Sequence, residues 1–178
     1  MRRLPLPRPG FRVDTLKRVM VMRRYLVVAN QTLQAAELQD ALRERISAAP
    51  CSFFVIVPDT KAAQYDAVAA GGMLPQPGMW WWATYYARPA TDEEATAQAR
   101  QRLNSMLASL AALGVSVAGA LGSPDPQEAI EKVCASHQFD EIIVATLPRH
   151  LSRWLRADLP HQAQRRVGLP VTTIITRY

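Results

Sequence analysis

Five short apolar runs, separated by stretches of helical spacing, limit what this chain can fold into more than any other feature. The runs are Tyr25–Ala29, Ser52–Val57, Val115–Leu121, Asp140–Thr146 and Leu169–Ile175. A near-continuous apolar run of this length is the mark of a strand covered on both faces. Between the first two, Leu38, Leu42 and Ile46 recur at helical spacing, with Glu37, Asp40, Arg43 and Glu44 outward, and Pro50 ends the pattern. Ala99, Leu103, Met106, Leu107 and Leu110 form the next apolar stripe, closed by Gly114. Ala129, Ile130, Val133 and Cys134 form the third, and a basic helical crossover from Leu147 to Arg166 completes the set. Strands alternating with helices pair in parallel through right-handed crossovers. The expected fold is therefore α/β: a doubly wound five-stranded parallel sheet with helices on both faces.

Local signals mark the ends of these elements. Asn30-Gln31-Thr32 closes the first strand, and Thr32 is placed to cap the helix that follows. Thr91-Asp92-Glu93-Glu94 and Asp125-Pro126-Gln127-Glu128 both read as capping boxes, the second with proline at the first helical position.

The formal charge of +6 is strongly segregated. Residues 1–24 carry eight Arg or Lys against Asp14, and residues 146–178 carry six against Asp158. Residues 25–145 carry seven against thirteen Asp or Glu, so the body of the domain is acidic. A nucleic-acid binder presents a basic stripe on its body, and this distribution argues against that class. No apolar run reaches the roughly 20 residues of a transmembrane helix. The basic start is broken by Pro5, Pro7 and Pro9 and offers no signal-peptide core, so the expectation is a cytoplasmic protein. Two cysteines, Cys51 and Cys134, fall in strand and helix patterns and read as buried reduced thiols.

Residues 1–22 lack periodicity and are expected to be a disordered tail; Met20 and Met22 offer alternative starts. Residues 23–178 form one domain, with an aromatic insertion at 60–90 that carries Trp80, Trp81, Trp82, Tyr85 and Tyr86. Consecutive residues of a strand face opposite ways, so three adjacent tryptophans cannot all point inward. Self-packing or an oligomer contact is the first reading of this run, a ligand lid the second.

From Arg24 to Ile175 the order of elements resembles the universal stress protein family. The matching pieces are Tyr25–Ala29, the Gly122-Ser123-Pro124 turn into a helix, Phe139–Val144, Leu151-Ser152, and Leu169-Pro170-Val171. The resemblance implies an adenine-nucleotide-type fold, a homodimer, a role in stress response, and ATP or another adenine nucleotide as ligand. ATP-binding members carry an aspartate after the first strand, and here Asn30 stands there. They also carry a glycine run after the fourth strand, whose backbone N–H groups wrap the phosphates. This chain has Thr146, Pro148, Arg149 and His150 instead, with Leu159-Pro160-His161 near the distal Gly-Ser position. Prolines have no N–H to donate. A backbone cradle is therefore not expected, and side chains would have to replace it. The residues implied for nucleotide contact are Asn30, Val57, Thr146, Arg149, His150 and Arg153.

Two readings of the arginines stand. They line an anion pocket at the carboxyl edge of the sheet, or they are the solvated face of a helix whose buried face is Leu151, Trp154 and Leu155. Charge at helical spacing favours the second. Other constellations fare worse. His150, Ser152, Asp158 and His161 lack a nucleophile elbow. Cys134 and His137 lack the second pair a structural zinc needs. Asn30-Gln31-Thr32 lacks the clustered acids of a phosphoacceptor domain. The expected function is a non-enzymatic binding or regulatory module with a degenerate or rebuilt adenine-nucleotide site. The alternative is a nucleotide-binding protein or a phosphoester-hydrolysing enzyme with an Arg/His-lined pocket.

Overall fold

A computed structural model describes residues 22–58, 92–149 and 152–177. The expectations for the tail, the Thr91 cap, the tryptophan run, His150 and Leu151 lie outside the described residues. Five strands form one parallel sheet: β1 (Arg23–Val28), β2 (Cys51–Pro58), β3 (Ser116–Gly122), β4 (Glu141–Thr146) and β5 (Val171–Ile175). Their spatial order is β3-β2-β1-β4-β5. The chain thus builds outward from β1 in one direction, then returns and builds in the other. Val28 lies level with Ile56 on one side and Val144 on the other.

Helices cover both faces, as the alternation requires. Helix α1 (Ala36–Ala48) and helix α2 (Asp92–Ala112) lie on one face. Leu38, Leu42, Leu103, Met106 and Leu110 pack there against Tyr25, Val27, Phe53, Val55 and Ile143. On the other face lie α3 (Pro126–Ser136), a one-turn helix α4 (Arg153–Arg156) and α5 (Leu159–Val167). Ala129, Ile130, Leu159 and Ala163 meet Leu26, Val28, Ile56, Ile142 and Val144. The strand period of two sends alternate residues of β1 into the two cores. No helix among the described residues is long and apolar enough to cross a membrane.

Several local expectations are corrected. Thr32 caps nothing: a 3-10 turn (Gln31–Gln34) intervenes, and α1 begins at Ala36 with no side-chain cap. The Thr32 hydroxyl instead donates to the carbonyl of Ala145 at 2.8 Å. The crossover after β4 is two helices, not one. They part at Asp158, whose φ of 56° is left-handed, and Pro160 follows in the first turn of α5. The second capping box is relayed: Asp125 accepts from the Gln127 N–H at 2.8 Å, while Glu128 accepts from the Ser123 hydroxyl at 2.6 Å. Cys134 is half-buried rather than buried.

The amino edge of the sheet is tied by charge. Arg45 of α1 donates to Glu141 of β4 at 2.6 Å and lies over the ring of Tyr25, 5.5 Å from its centroid. Helices α3 and α5 are joined through Glu131, which accepts from the Gln127 amide at 2.8 Å and from Arg166 at 3.0 Å. These two donors hold the Glu131 carboxyl below its ordinary range. Glu37 is lowered likewise, because it accepts from the backbone N–H of Arg177.

Helix α2 sits close on the sheet because β3 presents Gly119. A Cβ there would stand 2.7 Å from the Val55 carbonyl oxygen and 2.8 Å from Leu103 Cδ1. Gly119→Ala is expected to cost about 1–3 kcal/mol by overpacking, read as a lower urea midpoint at unchanged slope. The Cys134 thiol is pushed up to about 11 by loss of water on burial. At pH 8 its alkylation should run roughly a hundredfold slower than that of a free thiol, and should accelerate as the pH approaches that value.

Candidate functional site

Open parallel sheets place their ligands outside the carboxyl ends of the strands, where the strand order reverses. In this protein the reversal falls between β1 and β4. Asn30 follows β1 by two residues and Thr146 is the last residue of β4, both two steps past the Val28–Val144 pair.

The buried polar side chains concentrate there. Asn30, Thr32, Thr146, Ser152 and Thr176 are each 6% exposed or less, and every one of them ends or follows β1, β4 or β5. Buried polar groups must find partners, because leaving one unmade costs about 1–3 kcal/mol. Here they find one another and the strand ends. Asn30 Nδ2 donates to the Pro58 carbonyl at 3.1 Å, fastening β1 to the end of β2. Thr32 fastens the turn after β1 to β4. The hydroxyls of Thr146 and Ser152 share a bond of 2.6 Å, and Ser152 Oγ also accepts from the Leu155 N–H at 3.2 Å, capping α4. The Thr146 carbonyl accepts from the Thr176 N–H at 2.9 Å.

One cation enters this ring from an element sequence reasoning did not connect with it. Arg102 of α2 donates through Nη1 to Asn30 Oδ1 at 3.2 Å, and through Nη2 to Gln98 Oε1 at 3.5 Å. Arg102 stands midway along the 21-residue helix α2, which brings its side chain beside Asn30 at the carboxyl edge.

The structure distributes the sequence candidates unevenly. It brings Asn30 and Thr146 together at the reversal. Val57 is fully buried in the core beneath α1 and α2. Arg149 is exposed in the turn after β4. His150, Trp80, Trp81, Trp82 and Tyr85 lie outside the described residues, as does the side chain of Arg153. His161 pairs with Asp158 on the exposed side of α5, away from Ser152 in its partners. Among the described residues no three His, Cys, Asp or Glu side chains converge as metal ligands.

Neither a family model nor a curated protein matches the sequence. Solved structures do match in fold. A universal stress protein family protein from Arabidopsis thaliana, with AMP bound, superposes with a TM-score of 0.53 at 12% identity, covering 87% of this chain and 92% of its own. A universal stress protein from Archaeoglobus fulgidus gives a TM-score of 0.50 at 15% identity, covering 88% of this chain and 96% of its own. The fold is the universal stress protein fold, a five-stranded Rossmann-like α/β arrangement.

The bonds that close the carboxyl edge should be measurable one at a time. Thr32→Val removes the donor to Ala145 at nearly constant volume and should destabilise by about 1–3 kcal/mol. Amide exchange near Ala145 and Thr146 should quicken more than exchange in β3, which the bond does not touch.

Proposed function

We propose that the protein is a non-enzymatic binding or regulatory module of universal stress protein type whose adenine-nucleotide site lacks the backbone phosphate cradle. One observation carries the reading: both ends of the Asn30 amide and the Thr32 hydroxyl are spent on strand ends and on Arg102. A phosphate cradle needs backbone N–H groups aimed outward. In the turn after β4, Pro148 has none and the Ser152 N–H is taken by the Pro148 carbonyl at 2.9 Å. The non-enzymatic part is supported by the use of Ser152 as a helix cap, which leaves its oxygen accepting from a backbone N–H and bonded to Thr146. The resemblance extends the proposal to a cytoplasmic homodimer acting in stress response.

The AMP held by the Arabidopsis neighbour makes adenine nucleotide the ligand class to test first. Calorimetric titration with ATP, followed in parallel by the fluorescence of half-buried Trp154 beside Ser152, is the experiment. No saturable binding below about 1 mM is expected, a ceiling of about −4 kcal/mol. Micromolar binding would overturn the reading in favour of an intact nucleotide site. Steady release of phosphate from ATP, lost on Arg149→Ala, would overturn it in favour of an enzyme.

A further inference from the structure

Arg102 is half-buried at the carboxyl edge, yet its partners among the described residues are two neutral amide oxygens, those of Asn30 and Gln98. Among the described residues no carboxylate pairs with it. The other ion pairs of the domain, such as Arg45 with Glu141 and Arg166 with Glu131, show that acidic partners are used elsewhere. A guanidinium has five N–H donors in a rigid fork, and two are engaged here. Three remain for a group that can take them. A partly desolvated cation that meets only dipoles is electrostatically incomplete, and an oxyanion completes it with charge-assisted bonds about twice as strong as neutral ones.

A second donor sits across the strand reversal. The buried Thr146 and Ser152 hydroxyls carry two protons and share one bond, while Ser152 Oγ also accepts from Leu155. Whichever hydroxyl donates within the pair, the proton of the other has no acceptor among the described residues. Both features lack an acceptor and supply donors, so the ligand they suit is an anion and not a cation or an aromatic base. By register, Val28 pairs with Val144, which puts Asn30 and Thr146 at the same level on neighbouring strands.

We propose that Arg102 is the anion receptor of the carboxyl edge, taking the phosphate group of a small ligand, with the unspent hydroxyl proton of the Thr146–Ser152 pair as second donor. The proposal rests on the reading of the edge as lacking a backbone cradle. It adds that recognition is of the phosphate group and not of a base, since both polar ends of the Asn30 amide are already engaged by Pro58 and Arg102.

The test is an amide-resolved NMR titration of the full chain with three probes: inorganic phosphate, AMP and adenosine. Phosphate and AMP should shift Asn30, Gln98, Thr146 and Ser152 with apparent affinities within about threefold of each other, and adenosine should shift none of them. Arg102→Gln should weaken phosphate about tenfold or more, with Arg102→Lys intermediate because charge remains and the fork is lost. Arg165→Gln, on an exposed arginine in the last turn of α5 at the opposite edge, is the control and should change nothing. Unchanged denaturation midpoints would establish that the variants fold. Phosphate shifts confined to exposed arginines, or an affinity indifferent to Arg102→Gln, would overturn the subsite. Adenosine binding on its own would instead overturn the reading of the edge on which it rests.

Discussion

Everything in this structure depends on the burial of β1 from both sides and along both edges. Leu26, Val27, Val28 and Ala29 are each fully inaccessible. Alternate residues feed separate cores, and β2 and β4 flank the strand in parallel. No polar side chain is compatible with those positions, so the chain can introduce polarity only where β1 ends. It does so immediately, at Asn30. The reversal of strand order, and with it the crevice that open α/β sheets use for ligands, follows from this central strand and not from any glycine motif.

That separation of fold from site explains how the protein can share the universal stress protein fold at such low sequence identity. The sheet requires apolar runs and turn residues, which many sequences satisfy. A phosphate cradle requires specific glycines, which this sequence does not have after β4. The buried polar groups at the edge bond to one another and to the strand ends, joining β1, β2, β4 and β5.

Much of this was legible in the residues. The five strands announce themselves as apolar runs, and Gly114, with its φ of 77°, ends α2 as its position suggested. Asn30 and Thr146 were identifiable as edge residues because a strand must stop where its apolar run stops. What escaped was of two kinds. Thr32 was misread because local capping chemistry has several outlets, and the partner that wins is set by tertiary neighbours; Pro160 at the start of α5 was the overlooked sign of a second helix. Arg102 was missed because its contact with Asn30 joins residues 72 positions apart. No periodicity in a single sequence encodes such a contact, since it depends on where along the sheet the helix is packed.

Replacing a glycine cradle by side chains changes what a site can discriminate. Backbone N–H groups at a helix start converge on a phosphate with fixed geometry and little entropic cost, because the main chain is already ordered. A guanidinium delivered from the middle of a helix brings full charge and directional donors, yet its stem must be ordered by bonds such as those to Asn30 and Gln98. Those same bonds consume the amide that would otherwise read a base edge. In the proposed anion site, charge recognition and base recognition therefore compete for one residue, Asn30, whose amide is engaged by Pro58 and Arg102. A fold shared with an AMP-bound protein is thus compatible with a ligand preference that stops at the phosphate.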